Sequence, residues 1–106
     1  MKPSTDIDEI VENIIFHLEG ELAVIDMLEH EAFERGEEVN LEEDYNKFIY
    51  IQTLFEERKL EEAFTLYMNL VANGIFNDKD FFEIKTLAEY LKYPMSNIDR
   101  LKRYSW

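Results

Sequence analysis

The residues of this sequence that could take part in chemistry are mostly carboxylates. Of its 106 residues, 24 are Asp or Glu and two are His, whereas none is Cys. Thiol nucleophiles, disulfides and thiolate metal ligands are therefore excluded. No Gly-rich phosphate-binding loop is present, and Ser4, Ser96 and Ser105 lack the neighbouring base that a serine nucleophile requires. We predict a protein that is not an enzyme and that binds no cofactor.

The two histidines, His17 and His30, do not form a metal site in any pattern that the sequence offers. The stretch HEAFE, which begins at His30, resembles the His-Glu-x-x-His pattern of zinc metalloproteases, but Glu34 stands where the second imidazole is needed. A Glu-x-x-His pair for a di-metal carboxylate site is also missing. Each histidine precedes a glutamate by four residues, which favours side-chain pairs on a helix surface.

The composition predicts one folded domain, residues 1–106. A chain of this length with 46% hydrophobic and 14% aromatic residues can bury a core. Three Gly and two Pro argue against a turn-rich β fold. The first residues include acids where a secretory signal needs an apolar run, and no stretch approaches the roughly 18 apolar residues of a membrane span. We expect a cytoplasmic protein that does not contact a membrane.

Apolar periodicity predicts an all-α fold of about five helices in one bundle-like domain, without a sheet. The first helix carries an apolar stripe with steps of three or four residues: Ile7, Val11, Ile14, Leu18, Leu22, Ile25, Leu28 and Ala32, widened by Ile10, Ile15, Val24 and Phe33. Ser4 or Thr5 is the expected cap, and Gly20 is the expected site of a bend or break.

Four further helices are predicted from caps and breakers. Asn40 caps a helix over 41–57, and a short connection leads to a third helix over 60–72, so these two should form an antiparallel hairpin. A fourth helix starts at Asn77 or Asp78 and ends before Pro94. Ser96 opens a fifth helix, whose inward residues are Ile98, Leu101 and Tyr104.

Charge divides the chain near residue 85. Residues 1–84 hold 6 basic and 22 acidic side chains, a net charge of −16, whereas residues 85–106 hold five basic and two acidic side chains, a net charge of +3. The whole chain has a net charge of −13 and a pI near 4.4, which opposes non-specific binding to nucleic acid or to anionic lipid. The sequence thus predicts an acidic body and a mildly basic end.

Carboxylates of the acidic body are the candidate partner-binding residues. Three of them recur every seven residues on the first helix, about 10 Å apart along one face. The remainder continue through the following loop. The candidate set is Glu12, Glu19, Asp26, Glu31, Glu34, Glu38, Glu42 and Glu43. Such a surface either docks on a basic partner or only keeps the protein in solution.

Two stretches resemble known helical units. Residues 45–78 include KLEEAFTLY and NGIFND and look like a single pentatricopeptide-type repeat. The resemblance implies a helical hairpin. In arrays this family reads single-stranded RNA, but no second copy is present here, and Asn77 stands where the family usually has Pro.

The stretch KTLAEYLKYPMSNIDRLKR, residues 85–103, resembles a bacterial helix-turn-helix unit of the form LAxxLxxSxxxIxRxxK. Ala88 matches the small residue at the helix crossing, whereas Lys92 replaces the usual Gly. The resemblance implies a second helix that enters the major groove of DNA. Its contacts would come from Met95 and from Lys92, Ser96, Asn97, Arg100, Lys102 and Arg103.

The leading hypothesis is therefore a non-enzymatic acidic protein-interaction module. Its partner would have a basic surface and could be a nucleic-acid-handling protein, as for the small inhibitors and DNA mimics of phages and mobile elements. The alternative is a small transcriptional regulator that binds DNA through residues 85–103. A third option is a homodimer formed along the stripe of the first helix.

Overall fold

One long helix determines the architecture. The computed structural model describes residues 5–70, 75–76, 78–98 and 102–103. The elements are α1 (Ile7–Glu34), α2 (Glu42–Glu56), α3 (Leu60–Leu70), β1 (Ile75–Phe76), α4 (Asp78–Leu91), α5 (Met95–Ile98) and β2 (Lys102–Arg103). The predicted all-α fold with five helices is confirmed.

Helix α1 begins at a charged cap. The carboxylate of Asp6 accepts hydrogen bonds from the backbone N–H groups of Asp8, at 2.9 Å, and Glu9, at 3.4 Å. Its negative charge also interacts favourably with the helix dipole. The prediction of Thr5 as the cap is therefore wrong, and Ser4 lies outside the described residues. The helix passes Gly20 without a break, so the predicted break there is also wrong, and its 28 residues span about 42 Å.

A tight turn joins α2 to α3. Arg58 in this turn has a left-handed backbone with φ of 60°, which costs a non-glycine residue about 1–2 kcal/mol. Its guanidinium donates to the carbonyl of Phe55 at 3.0 Å and to the Glu12 carboxylate at 2.8 Å. These contacts offset the strain and tie the turn to α1. On the α3 side of the turn, Glu62 in the first turn of α3 accepts a hydrogen bond from the Tyr50 hydroxyl on α2, at 3.0 Å.

The main core lies beside the first half of α1. All five helices contribute to it: Ile10, Val11, Ile14, Ile15, Leu18, Ile51, Leu54, Phe55, Ala63, Phe64, Tyr67, Met68, Ile84, Leu87, Ala88 and Ile98. Edge-to-face aromatic pairs join Phe55 to Tyr67 and Phe64 to Tyr93. Further along α1, Ile25 and Ala32 are buried outside this cluster, whereas Leu28 is 45% exposed. The predicted stripe is therefore correct for the first half of α1 and only partly correct for the second.

A buried carboxylate connects α1 to α4. Glu83 is 3% exposed, accepts a hydrogen bond from the Asn13 amide at 3.0 Å and pairs with Lys79 at 2.9 Å. One helical turn away, His17 lies 3.7 Å from Asp80. These two contacts set α1 and α4 antiparallel, with the start of α4 level with His17.

The end of the described chain differs from the prediction. Helix α5 covers four residues, and Lys102–Arg103 are extended and pair in parallel with Ile75–Phe76. The predicted fifth helix is therefore present but shorter than expected, because Lys102–Arg103 are extended; Leu101 and Tyr104, which are predicted to face inward, lie outside the described residues. This two-residue pairing contradicts the predicted absence of a sheet. The two strands are too short to show the alternating periodicity from which a strand is predicted.

Within the described part of the chain, none of the helices combines the length and apolar character that crossing a membrane requires.

Replacing Gly20 by Ala is expected to raise the free energy of unfolding by about 0.5–1 kcal/mol. Gly20 is exposed in the middle of α1, and a Cβ added there meets nothing within 4 Å. Chemical denaturation measures the change. Gly36→Ala is the matched control with the opposite sign: Gly36 has φ of +74°, and Ala should lower stability by about 1 kcal/mol. A loss of stability in Gly20→Ala would contradict a continuous, unpartnered helix at this position.

Replacing Glu83 by Ala should lower the free energy of unfolding by about 2–3 kcal/mol, since it leaves the Asn13 amide and the Lys79 ammonium without their buried partner. Glu89→Ala on the exposed face of the same helix should change it by less than about 0.5 kcal/mol. Equal effects of the two substitutions in urea denaturation would show that the α1–α4 connection is not stabilising.

Candidate protein-interaction surface

The second half of α1 and the first half of α2 extend beyond the core as a two-helix arm, residues 19–47. Glu12 pairs with Arg58, and Glu19 accepts from the Gln52 amide at 3.2 Å, so the two helices run antiparallel in a fixed register. Helix α4 starts level with His17 and therefore does not reach along α1 beyond that point. The arm is held by α1–α2 packing, with Ile25 and Ala32 buried on its inner side.

Negative charge is concentrated on this arm. Residues 19–47 carry eleven carboxylates and two basic side chains, a net charge of −9 out of −13 for the chain. The carboxylates lie along both helices and in the loop between them. Repulsion at this density costs stability, and it also creates a strong local potential.

The structure places most of the predicted acidic residues on the arm. Asp26, Glu31, Glu38 and Glu42 are exposed there. Two others pair with neighbours one turn away: Glu34 lies 3.2 Å from His30, and Glu43 lies 3.5 Å from Lys47.

The three carboxylates that recur every seven residues on α1 are only partly available to a partner. Glu12 lies outside the arm, where it pairs with Arg58, and Glu19 holds Gln52 at the base of the arm. The row is therefore divided: its first two members hold helices together, and Asp26 is exposed.

Large apolar side chains lie exposed among these carboxylates. Phe33 is 80% exposed and Met27 is 53% exposed. Val24, Leu28 and Val39 are each more than two fifths exposed. The expectation that Val24 and Phe33 widen the buried stripe is wrong, because both side chains are exposed. The exposure of Met27 could have been predicted from the sequence, because Met27 falls outside the three- and four-residue steps of the stripe.

The exposed apolar band continues toward the N-terminal end of α1. Phe16 is 73% exposed, and Gly20, Ala23 and Met27 follow it at steps of four, three and four residues. These positions lie on one side of the helix, opposite the core-facing stripe. α1 thus has an apolar outer band as well as an apolar inner one.

The residues predicted to contact DNA are not presented by a long helix. Lys92 is exposed just after α4, with φ of 58°, and Ser96 is exposed on α5. The Asn97 amide lies 3.5 Å from the Tyr93 hydroxyl as a donor. Lys102 and Arg103 belong to β2, and Arg100 lies outside the described residues.

Metal-ligating side chains do not cluster in the described ranges. No group of three His, Asp or Glu residues there could hold a metal ion. Burial raises the pKa of the Tyr67 hydroxyl far above its ordinary value, with the charges of Asp80 and Glu21 adding to the effect. Tyr67 therefore remains a protonated core residue at neutral pH.

The distinguishing feature of the molecule is thus an acidic arm with exposed aromatic and aliphatic side chains. Comparison with known proteins adds no assignment, since no protein-family model, curated protein or solved structure matches this chain.

Proposed function

We propose that this protein is a non-enzymatic interaction module whose acidic arm docks on a partner protein with a basic surface. The observation that carries the proposal is the exposure of Phe33 and Met27 among the carboxylates of the arm. A face that only kept the protein in solution would have polar side chains at these positions. Exposed apolar groups surrounded by charge are typical of protein-binding surfaces.

The carboxylates and the exposed apolar side chains of the arm contribute to partner binding in different ways. Carboxylates attract a basic partner over a Debye length of about 8 Å at physiological salt and raise the association rate. Apolar side chains that become fully buried in the complex supply most of the binding free energy. A nucleic-acid-handling protein is one class of partner with a suitable surface, because its basic residues already bind rows of negative charge.

Self-association along the outer band of α1 is disfavoured by charge. A second copy would bring another −9 arm into contact with the first, and like charges that meet across an interface cost several kcal/mol. A partner of opposite charge removes that cost.

Removing five of the eleven carboxylate charges of the arm should strongly reduce partner capture. In a pull-down at low salt, the variant with Glu31, Glu34, Glu38, Glu42 and Glu43 changed to Gln should lose the proteins that the wild type recovers. Raising the salt concentration should release the same proteins from the wild type. Quantitative mass spectrometry measures the recovery.

The matched control changes five exposed carboxylates outside the arm to their amides: Asp8, Glu9, Glu56, Glu61 and Glu89. Both variants have the same net charge, so a difference between them reports on position and not on total charge. Equal recovery by the arm variant and by the wild type, insensitive to salt, would show that the arm is only a solvated face.

The DNA-binding alternative, which the resemblance of residues 85–103 implies, has its own test. We expect no binding to random duplex DNA even at about 20 mM salt, where attraction to phosphate is strongest. Fluorescence anisotropy with labelled duplex measures it. Binding that is lost when Arg100, Lys102 and Arg103 are replaced would instead favour the regulator and argue against the acidic arm as the main functional surface.

A further inference from the structure

A groove lies between α2 and α3, beside the base of the arm. Its walls are Lys47, Tyr50, Ile51, Leu66, Asn69 and Leu70, and its volume is about 320 Å³. That volume is at the lower end of the range of roughly 300–1,000 Å³ for ligand pockets. Most of the lining is aliphatic or aromatic carbon, so the groove suits one or two large apolar side chains.

Carboxylates hold the polar groups at the edge of this groove. The Lys47 ammonium lies 3.5 Å from Glu43, and the Tyr50 hydroxyl donates to Glu62 at 3.0 Å. The hydrogen bond to Glu62 raises the pKa of Tyr50, and the charges of Glu62 and Glu57 add to this effect. The surroundings of the groove are therefore electronegative, although Lys47 is one of its lining residues.

We propose that this groove binds an apolar anchor side chain from a cationic peptide segment of the partner, while Glu43 and Glu62 bind Lys or Arg residues beside that anchor. The inference rests on the proposed function, because it names the segment of the basic partner that meets the base of the arm. The geometry is that of an apolar pocket with charged edges, in which the anchor supplies affinity and the edges supply selectivity.

Charge complementarity selects this occupant over two others. An anionic amphiphile would place its head group near Glu43 and Glu62, whose charges repel it, and Lys47 is the one basic side chain among the six that line the groove. A second copy of this chain would bring a net charge of −13 to the same edge. A cationic segment is attracted by the carboxylates that repel both.

The test uses the full-length protein and two synthetic eight-residue peptides. Each has three Lys on either side of a central pair, which is the apolar Phe-Leu in the first peptide and the polar Ser-Ser in the second. We expect the Phe-Leu peptide to bind at least about tenfold more tightly by isothermal titration calorimetry. The methyl resonances of Leu66 and Leu70 should shift on its addition in NMR spectra.

A groove-filling variant and its matched control locate the site. Asn69→Trp places an indole at the groove without changing the net charge, and it should reduce the preference for the Phe-Leu peptide to less than about twofold. Asn46→Trp adds the same side chain to an exposed position on α2 that does not line the groove, and it should preserve the preference. Circular dichroism checks that both variants keep their helical content.

The outcomes separate the two proposals. If both peptides bind equally, with an affinity that falls as salt rises, and Asn69→Trp has no effect, the acidic surface still recognises basic segments and the groove is not an anchor site. If the preference is present but the shifts occur at Phe33 and Met27, the anchor binds the arm and the groove inference is overturned. If neither peptide binds at about 20 mM salt, the proposed function fails together with the inference.

Discussion

The difference in length between α1 and the helices that cover it is the constraint on which the rest of the structure depends. α1 has 28 residues and α4 has 14, and the two meet antiparallel through Glu83 and Asn13. Only the first half of α1 can therefore lie in a core with several partners. Its second half packs on α2 as an arm with few buried side chains. Fold and candidate surface thus follow from the same mismatch.

This division separates the residues that stabilise the fold from those of the proposed docking surface. The aromatic and aliphatic residues beside the first half of α1 hold the domain together, and the Glu83 carboxylate is tolerated there because its partners include an amide and an ammonium. The arm carries charges that repel one another, and it depends on the core to hold its base. Carboxylates on an extended element can approach a partner's surface without bringing the rest of the chain into contact, which suits a docking surface.

The helices could be predicted from the local sequence, whereas the packing of the helices against one another could not. Steps of three and four apolar residues gave α1, and breakers placed α2, α3 and α4 within a few residues of their observed bounds. Periodicity cannot tell which apolar residues find a partner, so Phe33 was assigned to the core and is exposed. The prediction extends α5 too far because the strand that follows it, Lys102–Arg103, pairs with Ile75–Phe76, which lies far away in sequence. The acidic residues were visible from composition, but the division of their roles between Glu12 and Asp26 needed the register of α1 on α2.

The contact between Asn13 and Glu83 spans 70 residues, and this has a consequence for synthesis on the ribosome. At a synthesis rate of about 5–20 residues per second, the apolar face of α1 is exposed for several seconds before α4 is synthesised and can cover it. The hairpin of α2 and α3 can form sooner, because its Tyr50–Glu62 contact spans only 12 residues. During that interval the carboxylates of α1 are already present, and their mutual repulsion keeps neighbouring nascent chains apart. The same charges that are proposed to select a partner would then also protect the chain from aggregation while it is being made.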